Sequence, residues 1–278
     1  MASLVKPLEK FCDMQDGLEL YTQTYLKKNN QASLIFVHGI GEHSSRYQFP
    51  LRYFLSFSFS IYFYDQRGHG KSKGPRIYAP SMQTLVDDLH AIVQLAKKKE
   101  KKVFLVAHSF GGQVAINYLA SHPRQVAGAL ISSPNLRLAV KIPTYKKWLG
   151  KYLAFLLPTV ALDNEIDPTL LSHDPEVVRA YIEDELVEKK ISFRMAQIIL
   201  DNLETILQLA PKIQDPMFLM HGGADQVCDP EATKEFYHDL KVQDKQIKIY
   251  EGFYHEIFNE IGRQEVFEDM LKWMKAHL

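Results

Sequence analysis

Short, nearly continuous apolar runs rich in Val, Ile, Phe and Tyr recur along the chain, at ASLIFVHG (32–39), SIYFYDQ (60–66), VFLVAH (103–108), GALISSP (128–134), MFLMHG (217–222) and QIKIYEG (246–252). Runs of this kind are what strands buried on both faces of a parallel sheet look like. Between them lie segments of helical length, Tyr47 to Phe57, Ser81 to Lys99, Gly111 to Ser121, Asp229 to Leu240 and Gln264 to His277. The alternation predicts an α/β fold with a mostly parallel, doubly wound sheet. Two earlier stretches, EKFCDM and LELYTQTYL, predict an antiparallel hairpin at one sheet edge.

One interval breaks the rhythm. From Leu136 to Asp215 no strand pattern of the same kind occurs, and this is far longer than a crossover between neighbouring strands requires. It carries its own helical patterns, PTYKKWLGKYLAFLL, DPEVVRAYIEDELV and SFRMAQIILDNLETILQLA, separated at Pro158, Pro168 and Pro175. The expected organisation is a core in two parts, 1–135 and 216–278, with a helical cap inserted at 136–215. The run KKKEKK (97–102) is expected at the solvated C-terminal end of a helix, where cations suit the macrodipole.

Composition narrows the function classes. The 278 residues carry 33 Lys plus Arg and 33 Asp plus Glu, a formal net charge of zero, so nothing in the bulk recommends nucleic acid as a partner. Two cysteines far apart, Cys12 and Cys228, make neither a disulfide framework nor a zinc pattern. The first residues, MASLVKPLEKF, lack the apolar core of a secretory signal, and no stretch of membrane-spanning length appears. A cytoplasmic protein without metal or cofactor is expected.

The chemistry concentrates at AHSFGG. A nucleophile elbow follows the pattern GxSxG because the serine sits on a strained turn between strand and helix, where small neighbours avoid collision. Ala107-His108-Ser109-Phe110-Gly111 fits, with alanine in place of the first glycine, and it lies between a strand run and a helical segment. The alternative is a serine that only caps the helix. As a nucleophile Ser109 needs a general base and an orienting acid, which in such folds follow it in the order acid, then histidine, on loops after strands. Of the histidines beyond the late acids, His238 lies within a helical stretch and His277 next to the last residue, whereas His255 follows the final strand. Asp225 follows the strand at 217–222. Its rival, Asp229, precedes Pro230 and reads as a helix cap. The oxyanion hole is expected from the amides of Phe110 and, in the HGIGEHSSRY loop, of Ile40. The Phe110 ring is expected to face the acyl pocket.

With HGIGEHSSRY, YDQRGHGKS, AHSFGG, HGGADQVCD and GFYHE in this order over nearly the whole chain, the sequence resembles the monoglyceride lipase and lysophospholipase branch of the α/β-hydrolase superfamily. The resemblance implies an α/β-hydrolase fold with an inserted lid and an ester hydrolase with a Ser109, Asp225, His255 triad. It implies oxyanion donors at Ile40 and Phe110, and an acidic and basic pair, Glu42 and Arg46, that acts either as a structural ion pair or on the substrate headgroup. Asp65, Arg67 and Gly68 are expected to shape a nearby loop, and Cys228 to be a buried thiol. The sequence departs from the animal monoglyceride lipases at Phe258, where those enzymes have a second histidine. The segment KIPTYKKWLGKYLAFLLPTVAL, with Lys141, Lys146, Lys147 and Lys151 among Trp148, Leu149, Tyr152, Leu153 and Phe155, fits either a membrane-interface helix or a lid over an apolar tunnel. The expected reaction is hydrolysis of single-chain acyl esters, monoacylglycerol first. The alternatives are a lysophospholipase or short-chain esterase, a proline iminopeptidase-like aminopeptidase using Glu183, Asp184 and Glu185 for a substrate ammonium, and a non-catalytic ligand-binding protein on the same fold.

Overall fold

The computed structural model describes residues 6–28, 30–99, 102–140 and 143–278, with only the backbone of Thr144, Lys146 and Lys147. Lys141, the side chains of Lys146 and Lys147, the first residues Met1 to Val5, and Glu100 and Lys101 of the lysine-rich run lie outside the described residues. In chain order the elements are β1 (Leu8–Asp13), β2 (Glu19–Tyr25), β3 (Ala32–Val37), α1 (Gln48–Leu55), β4 (Phe59–Tyr64), α2 (Met82–Lys97), β5 (Val103–His108), α3 (Phe110–Ser121) and β6 (Gly128–Ser132). Then follow α4 (Thr144–Leu156), β7 (Ala161–Asp163), α5 (Pro175–Glu183), β8 (Lys190–Ser192), α6 (Phe193–Leu203), β9 (Met217–Gly222), α7 (Pro230–Asp239), β10 (Lys245–Tyr250) and α8 (Arg263–Ala276).

Eight strands form one sheet in the order β1-β2-β4-β3-β5-β6-β9-β10. Pairing is antiparallel for β1 with β2 and β2 with β4, and parallel from β4 onward. The unbroken apolar runs have a direct cause: successive side chains point to opposite faces, and both faces are covered. Leu105 of β5 and Leu219 of β9 pack with α2, α3 and α7 on one side, while Phe104 and Phe218 pack with α1 and α8 on the other. Each fully buried side chain of this size stabilises the fold by roughly 1.5–3 kcal/mol. The sheet is therefore rigid where its C-terminal strand ends present loops to one rim, the usual ligand position in such sheets.

Between β6 and β9 the chain leaves the sheet and builds α4, β7, α5, β8 and α6. Two departures from the sequence expectation occur here. Residues 161–163 and 190–192 pair as a short antiparallel ladder, and three-residue strands are too short to leave an alternating pattern. The stretch 192–210 is not one helix: α6 ends at Leu203, and a 3-10 segment follows at Ile206–Lys212, containing Pro211, which cannot continue an α-helical hydrogen-bond ladder. The segment is moored to α3 by buried amides. Asn202 donates to Gln113 Oε1 at 3.1 Å, Asn117 donates to Asn202 Oδ1 at 3.0 Å, and Gln113 donates to the Asn135 carbonyl at 2.7 Å. By contrast α4 exposes Tyr145 (68%), Trp148 (75%) and Phe155 (77%). Among the described residues no helix is long and apolar enough to cross a membrane.

Candidate active site

Ser109 occupies the turn between β5 and α3 with φ 53° and ψ −119°, a conformation that costs roughly 1–3 kcal/mol for a residue with a Cβ. The surroundings explain how it is held. Ser109 N donates to the Ser132 carbonyl at 3.0 Å, and Gly112 and Asn135 donate back to the Ser109 carbonyl at 2.9 and 3.1 Å. A Cβ on Gly111 would lie 2.3 Å from the Val37 oxygen and 2.5 Å from the His38 oxygen, so only glycine lets α3 start this close to β3. Ala107 at the other small position is fully buried in the core. Although Ser109 stands before the helix, its hydroxyl makes no capping bond to it. It points to His255.

His255 Nε2 lies 2.9 Å from Ser109 Oγ, and His255 Nδ1 lies 2.6 Å from Asp225 Oδ2. A carboxylate only accepts, so Nδ1 carries the proton and Nε2 presents its lone pair to the serine hydroxyl. Asp225 Oδ1 accepts from the amides of Val227 at 2.8 Å and Cys228 at 3.0 Å. His221, not anticipated from the sequence, also reaches Asp225 Oδ2 at 2.9 Å, with its Nδ1 2.7 Å from Thr233 Oγ1. It donates to Asp225 and pairs with the Thr233 hydroxyl through its other ring nitrogen. Burial pushes the Asp225 carboxyl up, but the charge of His255 and bonds from His221 and His255 outweigh it and hold the group well below the usual carboxylate range. Burial likewise pulls His255 down, yet the charge and hydrogen bond of Asp225 prevail and raise it above the ordinary histidine value. Asp229, the rival acid, caps α7 by accepting from Glu231 N at 3.0 Å. His238 is exposed beside Asp239, and His277 bonds Trp273 and Asp244 and does not line the cavity at Ser109.

The loop after β3 approaches from the other side. A Cβ on Gly39 would meet Glu42 Oε1 at 2.9 Å and Ser109 Cβ at 3.2 Å. Gly39 N is taken by Glu42 Oε1 at 2.6 Å, whereas Ile40 lines the cavity with Ser109. Gly41 has φ +74° and packs its backbone on Glu188, whose N donates to the Gly41 carbonyl at 2.7 Å. Phe110 opens α3, so its N–H has no partner one turn earlier in the helix. The Phe110 ring corrects an expectation: it is fully buried among the core residues under the sheet and does not line the cavity. The elbow turns the side chain of this first helical residue inward, which spacing alone does not reveal.

Ser109 and His255 open into a cavity of about 220 Å3, with apolar walls from Leu138, Ile191, Ile199, Leu200 and Val227. Its charged wall joins Glu42, Arg46 and Glu256. Arg46 Nη1 donates to Glu42 at 2.9 Å and to Glu256 at 2.6 Å, and Nη2 donates to Glu256 at 2.9 Å. The Tyr181 ring covers the guanidinium at 4.7 Å. Burial opposes the Glu42 charge, but Arg46 beside it wins and draws the carboxyl down to about 2. Burial, then the Asp225 charge, pushes the Cys228 thiol well up; this thiol also lines the cavity. Phe258 is buried against Tyr47, His108 and Phe267, outside the cavity. Asp184 accepts from His43 at 2.9 Å while Glu183 and Glu185 are exposed, and none of the three lines the cavity. Asp65 accepts from the amides of Ser44 and Lys71, both at 2.8 Å, and Arg67 forks onto Asp88 at 2.6 and 2.7 Å; with Gly68 at φ +70° they brace the loop after β4.

Residues 28–262 match the family model described as "Serine aminopeptidase, S33". An uncharacterized abhydrolase domain-containing protein of Dictyostelium discoideum is 36% identical over 249 residues, 89% of this chain and 26% of that protein, so the chain spans about a quarter of its length. The monoglyceride lipase of Homo sapiens is 32% identical over 269 residues, covering 93% of this chain and 88% of that protein. The crystal structure of a monoacylglycerol lipase from Paleococcus ferrophilus is similar with a TM-score of 0.87 and 34% identity, over 94% of this chain and 100% of that one. With the parallel sheet and the strand-to-helix serine already described, these likenesses establish that the chain belongs to the serine aminopeptidase S33 family and is a monoacylglycerol lipase-like α/β-hydrolase.

Proposed function

We propose that this carboxylic ester hydrolase cleaves single-chain acyl esters, monoacylglycerol first, with Ser109 as nucleophile, His255 as general base and Asp225 as its orienting acid. The observation that carries the reading is the continuous chain from Ser109 Oγ through His255 to Asp225, at 2.9 and 2.6 Å, opening into an apolar cavity. Ser109 Oγ attacks the acyl carbonyl as its proton passes to His255 Nε2. The imidazolium then forms beside a carboxylate held ionised, and His255 returns the proton to the leaving alkoxide. Water resolves the acyl-enzyme by the same steps in reverse. The amides of Ile40 and Phe110 receive the oxyanion, each worth roughly 3–4 kcal/mol in such sites. That Glu42 occupies Gly39 N supports Ile40 as the donor from this loop.

Segment 136–215 acts as the lid, and the exposed aromatic face of α4 lies on a lipid surface. Supporting this, Trp148, Phe155 and Tyr145 protrude next to a cavity whose apolar wall, at Ile199 and Leu200, belongs to the helix α4 packs on. The family model's description as an aminopeptidase keeps peptide cleavage in view, but none of the 183–185 acids lines the cavity. A panel of monoacylglycerols and lysophospholipids, with proline amide alongside, tests the reading. Turnover of the lipid esters and its loss in Ser109→Ala is expected; proline-amide turnover alone would overturn it.

A further inference from the structure

We infer that Glu256 sets the headgroup specificity of the site, admitting esters of uncharged polyols and turning away those whose alcohol carries a negative charge. This rests on the ester-hydrolase reading above and adds the charge class of the substrate. The side chains of Glu42, Arg46 and Glu256 all line the cavity and are 5%, 8% and 5% exposed. Two carboxylates against one guanidinium leave this wall with one net negative charge, and poorly solvated charges act strongly over such distances.

Arg46 is already engaged by two carboxylates. Its Nη1 already serves both carboxylates, its Nη2 serves Glu256, and Tyr181 covers its face. Among the described residues that line the cavity there is no other Arg or Lys. His108, which also lines it, does not supply the missing charge at neutral pH, because burial and then His255 lower it to about 4. The wall stands close to the reacting centre: Glu42 holds Gly39 N at 2.6 Å, and a Cβ on Gly39 would lie 3.2 Å from Ser109 Cβ.

The two carboxylates differ in what else they do. Glu42 also holds the oxyanion loop and accepts from Tyr47 at 2.7 Å. Among the described residues the Glu256 side chain bonds only Arg46 and, at 2.7 Å, Asn259. Glu256 is therefore the group whose charge can be removed without cutting the loop that faces Ser109.

The test compares kcat/KM for lauroylglycerol and for lauroylglycerol phosphate, dispersed in the same neutral detergent, in wild type and Glu256→Gln. Wild type is expected to favour the uncharged ester, and Glu256→Gln to raise the phosphate-to-neutral ratio about tenfold or more. A ratio unchanged in Glu256→Gln, or wild type turning over both esters equally, would overturn the inference. Because a ratio is read, a general loss of activity in the variant does not imitate the effect. As a measurement free of any variant, dodecyl phosphate should inhibit wild type more weakly than dodecylglycerol, and stronger inhibition by the phosphate would overturn the inference too. Hydrolysis of neither ester by wild type would instead sink the reading on which it rests.

Discussion

Asp225→Asn is nearly isosteric, yet the hydrogen bonds around it dictate a large effect. Asp225 Oδ1 accepts two backbone amides, from Val227 and Cys228, and an asparagine would keep them by placing its carbonyl oxygen there. The NH2 group then takes the Oδ2 position, 2.6 Å from His255 Nδ1 and 2.9 Å from His221 Nε2. A donor at that place forces His255 Nδ1 to accept, so the proton moves to Nε2 and faces Ser109 Oγ. The base is then in the wrong tautomer, and the carboxylate that offsets the forming imidazolium is gone. Together these cost about ten thousandfold in kcat, or about 5 kcal/mol. Steady-state hydrolysis of p-nitrophenyl butyrate measures the loss, and a thermal melt shows whether the fold survives. In wild type the acid limb of the kcat/KM profile should lie above the ordinary histidine value, because Asp225 raises His255, and activity falls as pH drops through it. A folded Asp225→Asn protein within about tenfold of wild type would refute the argument.

Other perturbations follow from the same geometry. Gly111→Ala would push a methyl to 2.3 Å from the Val37 oxygen; a loss of roughly 3 kcal/mol or failure to fold is expected in chemical denaturation, and a neutral result would contradict the close approach of α3 to β3. His69 and His108 are buried, and burial first of all lowers them to about 3 and about 4. The unfolded chain binds protons near 6.5 where the native chain does not, so stability present above about 6.5 is lost as pH falls toward 4, about 3 kcal/mol for His108 alone. Melting temperatures between neutral pH and pH 4 should fall steeply, and His69→Gln should flatten the slope; identical slopes would count against the assignment. Trp148→Ser with Phe155→Ser should weaken sedimentation with phospholipid vesicles while hydrolysis of dissolved p-nitrophenyl butyrate persists, and undiminished vesicle binding would rule out α4 as the lipid-facing element.

What was legible in the sequence and what was not divides along physical lines. The strand-serine-helix passage at 103–119 announces itself because a both-face-buried strand must be apolar and the turn after it must be small-sided; Gly111 shows why. The order of Ser109, Asp225 and His255 was readable because each follows an apolar run, and the sheet fixes which loops share a rim. The ladder of β7 and β8 was not, since three residues carry no period. The inward Phe110 ring depends on the elbow's positive φ, which periodicity does not encode. Glu256 stands beside His255 in plain view, but its partner Arg46 lies 210 residues earlier, and only the fold reveals that one guanidinium serves two carboxylates. His221 was hidden in the same way: a histidine at the end of an apolar strand reads as packing until the loop turns Asp225 back onto it.

The central claim is that Ser109 is the nucleophile, and the most direct measurement is the intact mass of the protein after exposure to a fluorophosphonate, followed by peptide mapping. One adduct per chain is expected in wild type, located on Ser109, and none in Ser109→Ala. An adduct on another residue, or equal labelling of both proteins, would contradict it.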